Sequence, residues 1–141
     1  MTVRVWLDHV VLWVEDPLRS IAFYQDVVGL PGERVEEFRA GAAPFPSIRV
    51  SPDSLIDLMP TALAPTLNAA PGSRDSAGHR VNHVCLAFDR AGFDALRRRL
   101  EAAGVTPVSE LTSSFGAHGL APHTFYFADP DGNVLEARYY E

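Results

Sequence analysis

Two histidines and two carboxylates in this chain have the types and the spacing to hold a metal ion. His9 sits in Leu7-Asp8-His9-Val10-Val11-Leu12-Trp13-Val14 and His83 in Val81-Asn82-His83-Val84-Cys85-Leu86-Ala87-Phe88. Both segments read apolar, polar, His, then a strand-like apolar run. Asp57 interrupts Leu55-Ile56-Asp57-Leu58-Met59, and Glu136 interrupts Val134-Leu135-Glu136-Ala137. A carboxylate in so apolar a setting is costly unless it is paired, hydrogen-bonded or bound to metal. Two imidazoles and one or two carboxylates meeting at one point suit Fe(II), Mn(II), Ni(II), Co(II) or Zn(II), and the missing thiolate argues against a structural zinc. Four protein ligands leave two positions of an octahedral ion for substrate oxygens.

Each of these residues also has a plainer reading. A lone strand histidine is commonly a hydrogen-bonded core residue; two at matching positions, with two matching carboxylates, favour metal. Glu136 has Arg138 and Arg49 as alternative partners. Asp57, near a strand end just before Pro60, fits a ligand and a simple strand-end carboxylate equally well. His118 and His123 fall in a loop and His79 in a linker, so none of the three is read as a ligand.

The elements that must position these groups repeat as well. After each histidine segment come an acidic residue, an amphipathic helix, a glycine and β-like stretches, so the chain is two βαβββ modules. The first helix is expected over 17–28, with Asp16 as N-cap, Pro17 at the first helical position and Gly29 as the C-terminal stop. The second is expected over 91–103, with Phe93, Leu96 and Leu100 as its buried stripe and Gly104 as its stop. Strands are expected over 32–38, 47–50 and 55–59, and over 105–111, 124–128 and 134–140. Asp129-Pro130-Asp131-Gly132-Asn133 is a turn. Residues 61–80, rich in Pro, Ala, Gly and Ser, join a first module (1–60) to a second (81–141), within a single domain. The stretch 112–123 is expected to be irregular, a lid or a surface loop. Strand alternation puts His9 on a face with Leu7, Val11 and Trp13, away from Val10, Leu12 and Val14.

The bulk of the sequence excludes several classes of function. The 141 residues carry a net charge of −6, which disfavours nucleic acid as a partner. The run Arg97-Arg98-Arg99 reads as a solvated helix face. All 12 basic residues are arginine, so lysine Schiff-base chemistry and a P-loop lysine are ruled out. No apolar run approaches the roughly 20 residues that span a bilayer, and charges interrupt the N-terminal segment. A single cysteine, Cys85, fits a reducing compartment, and a cytoplasmic protein with no membrane partner is expected.

The chain resembles the vicinal oxygen chelate superfamily, which includes glyoxalase I, methylmalonyl-CoA epimerase, fosfomycin-resistance thiol transferases, extradiol dioxygenases and bleomycin-binding proteins. Leu7-Asp8-His9-Val10, Ser20-Ile21-Ala22-Phe23-Tyr24 with Val28-Gly29-Leu30, Asn82-His83-Val84 and the segment from Phe127 to Glu136 carry the resemblance. It implies an α+β fold in which two βαβββ modules form a curved mixed sheet around a metal cleft, the glyoxalase-like fold. It implies that His9, Asp57, His83 and Glu136 bind a divalent ion (Ni, Zn, Mn, Fe or Co) and that the protein is a homodimer. Aspartate departs from the Glu or Gln that the glyoxalases and epimerases carry at the second ligand position, which bears on whether Asp57 ligates. The activity implied is a metal-dependent lyase or isomerase that acts on a small substrate with vicinal oxygens through an enediolate-type intermediate, with Glu136 or Asp57 as general base. The alternatives are thiol transfer of the fosfomycin-resistance type, ring-cleaving dioxygenation, and non-catalytic drug binding in a cleft walled by Trp13, Phe45, Phe115 and Phe125.

Overall fold

The computed structural model describes residues 7–68, 81 and 83–141, and has an α+β fold containing two four-stranded mixed sheets. The chain divides into two compact units, Met1–Arg80 and Val81–Glu141.

In the first unit, β1 (His9–Val14) leads through α1 (Pro17–Phe23) to β2 (Gly32–Glu33), α2 (Val35–Arg39), β3 (Ser47–Ser51) and β4 (Ser54–Pro60). The sheet order is β1-β4-β3-β2, with β1 and β4 parallel and the other pairs antiparallel. Asp16 caps α1 by accepting from the Leu18 and Arg19 backbone N–H groups at 3.1 and 3.2 Å, so two of the donors orphaned at a helix start are satisfied. The expected helix over 17–28 continues beyond Phe23 as a π-helical turn, Tyr24–Val28. Gly29 closes it at φ 89°, donating to the Tyr24 carbonyl. Ile21, Tyr24 and Val28 pack into the core with Leu12 and Val14 of β1.

The expected strand over 32–38 is a correction. Only Gly32 and Glu33 pair with β3, because Arg34 adopts a left-handed conformation (φ 56°) and starts α2 instead. Arg34 then lies over the Phe45 ring, 4.6 Å from its centroid. After β4 come a 3-10 turn, Thr61–Leu63, and α3 (Ala64–Asn68), so the expected linker begins as helix. The rest of it, His79 included, lies outside the described residues.

The second unit runs β5 (Val84–Ala87), α4 (Arg90–Ala102), β6 (Val108–Leu111), β7 (Ser114–Gly116), β8 (Gly119–Ala121), β9 (His123–Ala128) and β10 (Val134–Tyr139). Its main sheet has the order β5-β10-β9-β6, again with the first pair parallel. The stretch expected to be irregular is the β7–β8 hairpin, and His123 opens a strand. Asp89 caps α4 through the Gly92 N–H at 2.7 Å. Phe93, Leu96 and Leu100 are buried as the apolar spacing requires, with Phe93 against Phe125 and Tyr139 at ring separations of 4.9 Å. Phe125 is therefore a core residue, not a cleft wall; the Phe115 side chain lies outside the described residues. Arg97 also departs from a solvated face: it ion-pairs with Glu110 of β6 and covers the Phe125 ring.

Candidate metal centre

The two units present their histidine and carboxylate in the same register. In the first, β1 and β4 pair His9 with Leu55 and Val11 with Asp57. His9 and Asp57 are thus diagonal neighbours on one face of a parallel pair. In the second, Val84 pairs with Leu135 and Cys85 with Glu136, so His83, just ahead of β5, stands to Glu136 as His9 stands to Asp57. Val11 corresponds to Cys85, Trp13 to Ala87 and Met59 to Arg138.

His9 is oriented by its neighbour. Its Nδ1 lies 2.7 Å from Asp8 Oδ2, and because a carboxylate only accepts, Nδ1 is the donor. That leaves Nε2 facing Asp57 Oδ2 at 3.9 Å. In the neutral imidazole both facing atoms are acceptors, an arrangement a proton or a metal cation between them would relieve. The Asp8 hydrogen bond, followed by the charge of Asp57, raises the His9 pKa above its ordinary value. Asp57 is buried on β4, and its Oδ1 accepts from Ser47 Oγ at 2.6 Å.

The second pair is tighter and more deeply set. His83 Nε2 lies 3.2 Å from Glu136 Oε2. Two ligands each about 2.1 Å from one ion at right angles are about 3 Å apart, so this spacing fits neighbouring ligands. Glu136 is almost fully buried, and its other oxygen is committed: Oε1 accepts from Thr124 Oγ1 and from Arg138 Nη2, both at 2.6 Å. Burial pushes the Glu136 carboxyl up, but the hydrogen bonds from Thr124 and Arg138 and the charges of Arg138 and His83 outweigh it, leaving the pKa below the usual glutamate value. Glu136 therefore does pair with Arg138, and still presents Oε2 to His83. The other candidate partner, Arg49, is held by both oxygens of Glu33, at 2.7 and 3.0 Å. The turn before β10 is fixed by buried Asp129, whose Oδ1 accepts from the Asp131 and Asn133 N–H groups.

Each pair therefore offers one imidazole nitrogen and one carboxylate oxygen, oriented by further hydrogen bonds as metal ligands usually are. Among the described residues no group of three or more His, Cys, Asp or Glu side chains is placed to hold a metal ion. Cys85 lines the same face as His83, but burial and the Glu136 charge push its pKa up, which keeps the thiol protonated at neutral pH. His118 and His123 stay outside the pairs. His118 stacks near Tyr140 at 5.1 Å, and His123 lies edge-on to Phe93 with Nε2 3.4 Å from Glu110.

Asp8, Ser47 and Thr124 are supporting residues that the sequence did not disclose, whereas Arg138 was one of the two arginines expected as partners of Glu136. The one available signal was alternation, which puts Arg138 on the face of Glu136.

The fold and these paired donors define a class of protein. The chain belongs to the Glyoxalase/Bleomycin resistance protein/Dioxygenase superfamily, which it matches over residues 6–137. It is 28% identical over 138 residues to virulence protein STM3117 of Salmonella typhimurium, covering 95% of this chain and 83% of that protein. The crystal structure of that protein superposes with a TM-score of 0.73 over 99% of this chain and 100% of the other, at 21% identity. An integron cassette protein from the mobile metagenome of V. cholerae superposes with a TM-score of 0.69 at 27% identity, over 100% and 99% of the two chains. A lactoylglutathione lyase from Agrobacterium tumefaciens does so with a TM-score of 0.66 at 22% identity, over 93% and 90%. Among the described residues no helix is long and apolar enough to cross a membrane.

Proposed function

We propose that His9, Asp57, His83 and Glu136 hold one divalent ion, and that the protein is a metal-dependent lyase or isomerase of the glyoxalase kind acting on a small substrate with neighbouring oxygens. The observation that carries this reading is the repeated register: each unit sets a histidine diagonal to a carboxylate across a parallel strand pair. When bound, the ion would supply electrophilic stabilisation to the two substrate oxygens.

The two carboxylates are suited to different tasks. Glu136 is clamped by Thr124 and Arg138 and its pKa is lowered, which makes it a fixed ligand and a weak base. Asp57 receives a neutral hydroxyl hydrogen bond, and its Oδ2 faces His9 across a wider gap. It is the carboxylate we assign to remove the proton beside the substrate carbonyl. The protein acts as a homodimer and is cytoplasmic in this reading, and a monomeric mass at micromolar concentration would contradict the first.

The test is solvent-deuterium incorporation followed by proton NMR, across α-ketoaldehyde–thiol adducts and acyl-CoA thioesters. Wild type exchanges a proton of one substrate, and Asp57→Asn keeps the ion but loses exchange. Undiminished exchange in Asp57→Asn would remove the base assignment.

A second reading, thiol transfer to an epoxide, is favoured by the 3.9 Å spacing of His9 and Asp57, which suits a site with three protein ligands. Conversion of an epoxide and a thiol by metal-loaded Asp57→Ala would select it.

A further inference from the structure

The two units differ on the face that carries the pairs. Where the first has Trp13 and Met59, the second has Ala87 and Arg138 at the same register positions. A large ring is replaced by a methyl group, and an apolar side chain by a cation. The second unit holds a cavity of about 330 Å³. His83 and Glu136 line one part of it, Arg138, Tyr140 and His118 another, and the small side chains of Cys85, Ala87 and Ala117 leave the space between them open.

Arg138 is 5% exposed, yet the fold uses its guanidinium poorly. Of its five N–H donors, one makes a short bond, to Glu136 at 2.6 Å. Nη1 reaches the Ser114 carbonyl and the Tyr140 hydroxyl at 3.4 Å each, and Nη2 reaches Ser114 Oγ at 3.3 Å, all at the long limit of a hydrogen bond. Nε has no partner among the described residues. A buried cation with an unpaired donor and long contacts is costly, and the first unit shows that the carboxylate does not need one. Asp57 is supported there by the neutral Ser47, with Met59 at the position of Arg138.

We infer that this cavity is a subsite for a small oxyanion, a carboxylate, phosphonate or sulfonate, with the guanidinium of Arg138 as its anchor. Guanidinium and an oxyanion form charge-assisted hydrogen bonds about twice as strong as neutral ones. Tyr140 and His118 border the same space and offer further polar contacts. Arg138 Nη2 lies 2.6 Å from Glu136 Oε1, so the subsite adjoins the proposed ligand. The substrate class is therefore a compound whose vicinal oxygens lie close to an anionic group. This inference extends the proposed function by naming that group, but anion binding itself needs no metal.

The experiment uses metal-free full-length protein and calorimetric titration at low salt with malonate, methylphosphonate and neutral malonamide. Wild type is expected to bind the two anions saturably at millimolar concentration or tighter, and malonamide at least tenfold more weakly. Arg138→Met and the cavity-filling Ala87→Phe should each weaken the anions at least tenfold; Ala87→Phe leaves the Arg138–Glu136 pair intact, so its result stands even where Arg138→Met fails to fold. Equal affinity for malonate and malonamide would overturn the subsite. So would failure of folded wild type to bind either anion, or binding unchanged in Ala87→Phe. The metal reading fails separately, by absence of the ion in elemental analysis, whatever the anion titration gives.

Discussion

At the scale of single residues, hydrogen bonds divide the work between the atoms of one side chain. Asp8 takes His9 Nδ1 and leaves Nε2 facing Asp57, and Thr124 and Arg138 take Glu136 Oε1 and leave Oε2 facing His83. Removing such an orienting partner typically weakens metal binding about 10- to 100-fold. Asp8→Ala should do so in a competition titration against a chromophoric chelator; an unchanged affinity would show that the contact does not orient the ligand. Thr124→Val removes a buried donor from a buried carboxylate and should cost about 1–3 kcal/mol in urea unfolding. The histidines were legible in the sequence because they recur in matching strings. Thr124 and Ser47 were not, because a polar residue on a strand acquires a partner only when the neighbouring strand's register is known. Alternation says that Arg138 shares a face with Glu136, but it does not say that Thr124 reaches the same oxygen.

At the scale of elements, caps and stripes were the readable features. Asp16, Pro17, Gly29 and the Phe93, Leu96, Leu100 stripe behave as their spacing requires. The failures were local backbone events that residue type does not announce. Arginine carries no turn signal, yet Arg34 at φ 56° ends β2 and begins α2. The β7–β8 hairpin was unreadable because its strands are three residues each, too short for alternation to register. Leu96, fully buried on the inner face of α4, should cost about 2–5 kcal/mol on change to Ala, measured by denaturant unfolding. A loss below 1 kcal/mol would mean that α4 is not packed as described. The tie between α4 and β6 is electrostatic: the Arg97 hydrogen bond, then its charge, hold the Glu110 carboxyl below its ordinary value. A depressed folded pKa stabilises the native state above the unfolded glutamate pKa, about 4.3, and the contribution disappears as pH falls through the folded value. Glu110→Gln should therefore show a flatter loss of stability on acidification than wild type, and parallel curves would exclude the linkage.

At the scale of the whole molecule, the proposed metal centre rests on the repeat within these 141 residues. One βαβββ unit supplies one imidazole and one carboxylate, too few donors for tight retention of a first-row divalent ion, and in the proposal duplication would supply the other two. The same duplication lets the copies diverge. The first keeps Trp13 and Met59 and a carboxylate supported by a neutral hydroxyl, while the second opens a cavity around a buried arginine. The fold was legible from the repeat, but that asymmetry was not, because Ala87 and Arg138 look unremarkable until set in register against Trp13 and Met59.

The most direct test is elemental metal analysis of tag-free protein after reconstitution with Ni(II), Mn(II), Fe(II) and Zn(II), with His9→Ala and His83→Ala beside wild type. A single shared centre predicts about one ion per chain in wild type, lost or greatly depleted in both variants. No ion in wild type would contradict the account, as would two ions per chain of which each variant keeps one.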